Sequence, residues 1–576
     1  MYQELRAAWQ ELTAPGQMFE VETVEVAGVP LRSYRHAPPS LREVWLGSAA
    51  HGDADYLVFN DERLSYTGAH QISASVAAWL AQQGIQSGDR VAIAMRNYPE
   101  WMLTYWAVVS MGAVVVGMNA WWVAGEMQYA LEDAAPKVLI CDRERLQRFA
   151  EIRTHFPDLV VAAVRLTEPA PDWATEWMTV VNTPGELPQV SIAPDEDACI
   201  FYTSGTTGRP KGARLTHRGC VNNILNVAFA NAVQPLALAK AGLSEGGDGD
   251  KDGAATGAAT PPPPPVSLLA TPLFHVTGNN CVAHATTVAG GRLVHMYKWD
   301  PAEALALIER EQVSVFNAVP MMAREILMHP DFERRDTSSL KTLGGGGAAL
   351  QPDLVEKIGQ RTAAARPNTG YGMTETCGII AAVSSVFFAS KPASVGPAMP
   401  TFEARCVGPA GEPLPSGEVG ELWVRGAPVI AGYLNRPDAT AESITEGWLH
   451  TGDIAYLDED GFIFLVDRAK DMVLRGGENV YCAEVENALF AHPDVAECVV
   501  FAVADDRLGE EVGAAVHLRE GATPDADGLR AHCTGLLSPY KVPRYLWFLD
   551  EPLPRNANGK FLKRELREGL DTANAA

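Results

Sequence analysis

Thr203-Ser204-Gly205-Thr206-Thr207-Gly208-Arg209-Pro210-Lys211-Gly212 sets hydroxyls, glycines and two cations side by side, with almost no side chain to build a core. Glycine lets backbone N–H groups approach an anion, hydroxyls donate to phosphate oxygens, and Lys211 can follow charge from one phosphate to the next. The stretch reads as a mobile phosphate-gripping loop. The apolar run 198–202 before it predicts a buried strand, and 215–230 after it a helix. Strand, loop and helix together suit a nucleoside triphosphate. The common P-loop is different, since it needs Ser or Thr directly after its lysine to reach the metal, and here Gly212 follows Lys211.

Outward from this loop, short β-branched runs at 91–94, 138–141, 198–202, 268–270 and 313–317 alternate with helical patterns such as 71–83. Such alternation predicts βαβ units and an α/β fold with covered, largely parallel sheets. The loop then lies at the carboxyl end of a strand, where ligands of such sheets sit. The texture changes near Arg468: helical patterns at 483–492 and 529–537 flank strand patterns at 495–503 and 512–518, a compact α+β unit. We therefore expect a large domain over 1–467, a junction at 468–471 and a small domain over 472–576.

A chain of 576 residues exceeds what one hydrophobic core serves, which agrees with two domains. Its 46 basic and 71 acidic residues give a net charge of −25, which argues against non-specific binding to nucleic acid or anionic lipid. Nine scattered cysteines, none in a C-x-x-C spacing, predict reduced thiols in the cytoplasm and neither a disulfide frame nor a zinc site. The opening residues carry Glu4, Glu11, Glu20 and Glu22 and no apolar segment fit for a signal peptide, so the mature protein is expected to start where the sequence does.

No charge lies between Glu100 and Glu126, a gap long enough to span a bilayer. Gly112, Gly117 and Asn119 break the run, however, and 101–111 followed by 114–118 fits a buried helix feeding a parallel strand. Residues 232–265 are rich in Gly, Asp and Ala and end in five prolines, so they read as a disordered insertion.

Four further strings carry chemistry. Asn368-Thr369-Gly370-Tyr371-Gly372-Met373-Thr374-Glu375-Thr376 presents an aromatic between glycines, able to stack on a purine, and Glu375, a hard oxygen ligand of the kind Mg²⁺ accepts beside phosphates. Alone, Glu375 suits a helix N-terminus equally well. In Trp448-Leu449-His450-Thr451-Gly452-Asp453 the carboxylate of Asp453 can accept from both hydroxyls of a ribose, or simply cap a turn. Asp467-Arg468-Ala469-Lys470-Asp471, followed by Arg475-Gly476-Gly477-Glu478-Asn479, packs alternating charge where a hinge is expected. Pro554-Arg555-Asn556-Ala557-Asn558-Gly559-Lys560 is a polar loop ahead of a helix at 561–568. Alone, Lys560 is an ordinary surface lysine.

Taken in this order, the strings closely resemble the superfamily of adenylate-forming enzymes that includes acyl-CoA synthetases, firefly luciferase and peptide-synthetase adenylation domains. The match runs from Tyr66-Thr67 to Lys560, and Gly-Gly-Glu-Asn at 476–479 with Val480, Tyr481 and Glu484 looks most like fatty-acyl-CoA ligases. The resemblance implies a large N-terminal domain and a small C-terminal domain that rotates between two half-reactions. It implies that Thr203, Ser204, Gly205, Thr206, Thr207, Gly208 and Lys211 grip the β- and γ-phosphates. It places Tyr371 and Gly372 at adenine, Thr374 and Glu375 at the α-phosphate and Mg²⁺, and Asp453 with Arg468 at ribose. The turn at 344–348, including Gly346 and Ala348, would lie against adenine and the acyl group. Lys560 would bridge the acid carboxylate and the α-phosphate. Lys470 would be the hinge, and Gly476 and Gly477 would line a pantetheine tunnel. His275 matches a gate between that tunnel and an acyl pocket lined by Val276, Gly278, Asn279, Asn280, Gly345 and Met373.

Two departures are visible, Cys482 where the pattern has Pro and Asn556 where it has Thr. The implied function is an acyl-CoA ligase that activates a medium- or long-chain fatty acid with ATP and Mg²⁺ and transfers it to CoA. A fatty-acyl-AMP ligase serving a carrier protein and an inactive nucleotide-binding regulator are the alternatives. Partners are then the acid, ATP and CoA, with no nucleic acid and no transmembrane segment; acyl identity and oligomeric state stay open.

Overall fold

The strand–helix alternation is realised as two large sheets. The computed structural model describes residues 2–203, 209–243, 263–346, 352–362, 365–476, 478–556 and 559–576. The chain divides into two units, Met1–Glu403 with Val424–Leu449, and Ala404–Trp423 with His450–Ala576. The strand Phe462–Arg468, on which the expected boundary at 467/468 falls, belongs to the second unit.

In the first unit one eight-stranded sheet runs Gly432–Tyr433, Lys211–Thr216, Asp197–Thr203, Val114–Gly117, Arg90–Ala94, Val138–Asp142, Val160–Val164, Thr175–Glu176. From Asp197–Thr203 to the far edge the pairing is parallel. The central strands are apolar on both faces because helices cover both sides. The uncharged stretch after Glu100 is core: every residue of the helix Pro99–Ser110 is buried, and it leads into the central strand Val114–Gly117. Among the described residues no helix is long and apolar enough to cross a membrane.

The second sheet runs Gly378–Ser384, Arg366–Met373, Thr342–Gly346, Val315–Asn317, Val266–Leu269, Arg292–His295, Asp55–Phe59, Glu62–Ser65. Its inner six strands are parallel and its two edge strands antiparallel.

Two sequence expectations are corrected here. The chain after the glycine loop does not enter a helix at 215. It returns as the antiparallel strand Lys211–Thr216, Thr203 opposite Lys211, and the helix His217–Lys240 follows. Gly212, Ala213, Leu215 and Thr216 are buried, and Thr216 ends the strand by capping the helix, its hydroxyl accepting from the Gly219 N–H at 3.0 Å. The expected insertion does not begin at 232, because Val233, Ala237 and Leu238 continue the buried face of that helix to Lys240. Residues 244–262 lie outside the described residues.

The second unit holds a five-stranded sheet of Glu478–Val480, Val473–Arg475, Gly509–Leu518 and Val495–Asp505, with Tyr545–Phe548 paired to Gly509–Leu518. The helices Cys482–Phe490 and Ala526–Thr534 bury Val485, Leu489, Leu529 and Cys533 on one face. On the other face Val499, Phe501 and Trp547 are covered by Leu553 and Leu566 from the C-terminal segment. All nine cysteines are free thiols.

Candidate active site

The ends of the phosphate-loop string are fixed by the sheet. Thr203 closes one strand and Lys211 opens the next, and the Thr203 hydroxyl donates to the Lys211 carbonyl at 3.4 Å. The Tyr129 hydroxyl donates to the Pro210 carbonyl at 3.0 Å while Arg209 lies 5.0 Å over the Tyr129 ring. Ser204, Gly205, Thr206, Thr207 and Gly208 lie outside the described residues.

Beside Lys211 the sheet edge supplies a residue that the sequence reading missed. Tyr433 pairs with Ala213, its hydroxyl donates to Glu375 Oε1 at 2.9 Å, and the Lys211 ammonium sits 4.7 Å over its ring. The Ile430 N–H donates to the Glu375 carbonyl at 3.0 Å, so backbone and side chain of Glu375 are both held by the segment 430–433. Burial, then the Glu375 carboxylate, push the Tyr433 phenol well above its ordinary value, so it stays a donor. One signal was present, a glycine–tyrosine pair like that at 370–371. Thr374 is buried in the short 3₁₀ turn Thr374–Thr376, which Thr376 closes by accepting from the Met373 N–H at 3.2 Å and donating to the Gly378 carbonyl at 2.9 Å.

Gly344, Gly345 and Gly346 pair in parallel with Asn368, Thr369 and Gly370. A Cβ at Gly345 would stand 1.9 Å from the Ala318 carbonyl oxygen, and Gly345 has φ +142°, which side chains rarely adopt. A Cβ at Gly346 would lie 2.5 Å from the Gly370 oxygen, and one at Gly372 1.9 Å from the Gly378 oxygen. The glycines are thus required by backbone-to-backbone approach. Tyr371 is buried and Met373 half-buried in this cradle; Ala348 lies outside the described residues.

His275 ends the turn after the strand Val266–Leu269, and its Nδ1 accepts from the Thr277 N–H at 3.2 Å. The π-helix Thr277–Ala283 follows, an irregularity common at functional sites. A Cβ at Gly278 would lie 2.4 Å from the Pro272 oxygen. Asn279 and Asn280 are fully buried. Asn279 accepts from Trp101 Nε1 at 3.2 Å and donates to Asn280 at 2.9 Å, and Asn280 donates to the Cys377 carbonyl at 3.0 Å. Both asparagines thus brace the π-helix against the turn that follows Glu375. A second missed residue, Asn97, clamps the His275 loop. Its amide donates to the Leu269 and Thr271 carbonyls at 3.1 and 2.9 Å and accepts from the Leu273 N–H at 3.0 Å. A lone asparagine carries no motif.

In the second unit Asp453 and Arg468 stand opposite each other on paired strands, and their side chains form a 2.6 Å ion pair, with Asp453 6% exposed and Arg468 41%. Lys470 follows that strand and is exposed. Gly476 has φ +59° and donates its N–H to the Leu508 carbonyl at 2.8 Å; Gly477 lies outside the described residues. The Lys560 N–H donates to Asn556 Oδ1 at 3.0 Å and the Asn556 N–H returns a bond to the Lys560 carbonyl at 2.8 Å. Asn556 therefore supplies the side-chain oxygen that its position needs. At the other departure, the Cys482 N–H donates to the Asp467 carboxylate and its thiol donates to the Asp471 carbonyl at 2.9 Å.

Two family models fit this chain: AMP-binding enzyme over residues 45–434 and AMP-binding enzyme C-terminal domain over 484–560. The chain belongs to the AMP-binding enzyme family. This AMP-binding enzyme is 37% identical over 506 residues to a feruloyl-CoA synthase of an Amycolatopsis species, covering 88% of this chain and 93% of the relative. It is 30% identical over 557 residues to a long-chain-fatty-acid–CoA ligase of Bacillus subtilis, covering 92% and 94%. Among solved structures it is similar to ATP-bound MatB from Rhodopseudomonas palustris, with a TM-score of 0.76, 28% identity and coverage of 91% and 98%. The AMP-binding enzyme is thus an ATP-dependent acid–thiol ligase, which makes an acyl- or aryl-adenylate and passes the acyl group to CoA.

Proposed function

We propose that the acid is a ring-bearing carboxylic acid, not the medium- or long-chain fatty acid expected from the sequence. Support comes from the relatives, since identity to the feruloyl-CoA synthase is 37% and to the long-chain-fatty-acid ligase 30%. A carrier-protein acceptor and a fatty acid are the competing readings.

In the first half-reaction a carboxylate oxygen attacks the α-phosphorus, forming the acyl–phosphate bond as the bond to pyrophosphate breaks. Two unit charges 4 Å apart repel by ~4 kcal/mol at the effective dielectric of a protein surface, so cations at the reacting oxygens lower this barrier directly. Lys211 is assigned to the departing phosphates, Lys560 to the acid and α-phosphate, and Asp453 to the ribose. The observation that carries this reading is the gathering of Lys211 and Glu375 around Tyr433. There one cation and one carboxylate are set at fixed positions beside the phosphate string.

Glu375 fits a Mg²⁺ ligand. It is half-buried with one oxygen engaged by Tyr433, and no group of three metal-ligating side chains occurs among the described residues. That suits an ion held by one carboxylate and substrate phosphates. Such an ion, when bound, would neutralise phosphate charge. In the second half-reaction Lys470 is the proposed pivot, Gly476 and Gly477 the proposed wall for the thiol arm and His275 the gate, the thiol displacing AMP from the acyl carbon.

Pyrophosphate release measured over hydroxycinnamates, benzoates and saturated acids of eight to eighteen carbons, each with and without CoA, tests the proposal. Turnover with the ring-bearing acids and CoA-dependent AMP release are expected. Preference for saturated chains would overturn the substrate assignment, and adenylate that accumulates unchanged by CoA would overturn the acceptor.

A further inference from the structure

The loop that carries Lys560 stands on two charged feet. At its start the Leu553 N–H donates to Glu497 at 2.8 Å, and Arg555 pairs with Glu497 at 2.9 Å and lies 3.7 Å over the Phe561 ring. The Leu562 N–H donates to the Pro554 carbonyl at 2.9 Å and closes the loop. At its end Lys563 turns inward. Its ammonium donates to Glu486 Oε1 at 2.9 Å and to the Val500 carbonyl at 3.1 Å, and the same Glu486 oxygen accepts from the Val500 N–H at 2.9 Å. Glu497 and Val500 belong to one strand, Val495–Asp505, and Glu486 to the helix Cys482–Phe490 that packs on it. The Lys563 and Glu486 side chains are 25% and 21% exposed, so the pair is largely withdrawn from water.

A lysine at the foot of an exposed loop ordinarily spends its charge in solvent. Lys563 instead satisfies a carboxylate and a strand carbonyl at once, three positions after Lys560. Burial disfavours its charge, but Glu486, with Asp471 nearby, more than offsets this and holds its pKa above the ordinary lysine value. The ammonium is therefore a permanent strut.

We propose that Lys563 is the positioning residue for Lys560: its bond to Glu486 and Val500 fixes the foot of the loop on the sheet, so that the Lys560 ammonium is presented at one place when the acid is adenylated. The inference rests on the proposed role of Lys560. It goes further in assigning a function to Lys563 and Glu486, and it makes the strut needed in one half-reaction only, because the second does not call on Lys560.

The full-length enzyme with Lys563→Met, Glu486→Gln and Lys563→Arg tests this, using Lys560→Ala as reference. Each variant is assayed for acid-dependent pyrophosphate release and, separately, for thioester formation from supplied acyl-adenylate and CoA. Lys563→Met and Glu486→Gln are expected to lose tenfold or more of kcat for pyrophosphate release with thioester formation within threefold of the parent, and Lys563→Arg to restore most of the loss. Equal loss in both half-reactions, or loss in neither, would overturn the strut. If Lys563→Met does not fold, Glu486→Gln, which keeps the shape of the acceptor, decides by the same criteria. Should Lys560→Ala itself spare pyrophosphate release, the assignment of Lys560 fails, whatever the Lys563 variants do.

Discussion

The Tyr433 hydroxyl donates to Glu375 at 2.9 Å, joining a strand end to a 3₁₀ turn 58 positions away in the chain. A hydrogen bond to a charged acceptor is worth about 1.5–3 kcal/mol net. Tyr433→Phe removes it but keeps the ring beneath Lys211. The expected outcome is a ten- to hundredfold fall in kcat/KM for adenylate formation, by the usual tenfold per ~1.4 kcal/mol. Unchanged steady-state pyrophosphate release in Tyr433→Phe would mean that Glu375 needs no such support.

Lys560→Ala should reduce adenylation by about a hundredfold or more, the scale seen when one preorganised charge is removed from a developing anion. Thioester formation from supplied adenylate should persist. Single-turnover assays of each half-reaction report the split.

Asp453 is buried and paired with Arg468, so Asp453→Ala should act on nucleotide binding and leave Arg468 without its 2.6 Å partner. A rise in KM for ATP of about tenfold, with KM for CoA unchanged, is expected for loss of a bidentate acceptor. Equal changes in both constants would point to general damage.

Asn97→Leu should lower thermal stability. It strips partners from two carbonyls and one N–H in the buried loop before His275. An unsatisfied buried backbone group costs about 1–3 kcal/mol, so a melting-temperature drop of several degrees is expected. A melting temperature equal to the parent's would show that the loop finds other partners.

Two kinds of group set the pH profile, with opposite signs. Burial raises the Asp467 carboxyl to about 6. Its folded value lies above its unfolded one, so its contribution is full below about pH 4 and is lost as pH rises through 6, by about 3 kcal/mol. Asp467→Asn should gain on the parent across that window. Burial lowers His217 to about 4 and His284 to about 3, so their contributions are present above pH 6.5 and are lost as pH falls toward those values. Urea unfolding from pH 8 to 4 should show His284→Gln with a shallower acid limb than the parent; an identical limb would sink the assignment.

The fold class was legible because the central strands are apolar on both faces and alternate with helices of 3.6 period. Candidate site residues stood out in the sequence where reactive side chains cluster in short strings, as at 203–211, 374–375 and 554–560. Lys211–Thr216 escaped because a strand of only six residues, mostly buried, abuts a helix with no breaker between them. Tyr433 and Asn97 escaped for another reason: their importance lies wholly in which distant backbone or carboxylate they meet, and nothing beside them in sequence records it.

The contacts of Gly345, Gly346 and Gly372 have a consequence for evolution. Peptide planes touching there leave no volume in which a larger residue could be tried, so this wall is frozen against mutation. Relatives that share this cradle and differ in the acid they accept must owe the difference to other segments. Engineering of acid preference in this enzyme is therefore better aimed away from these glycine positions.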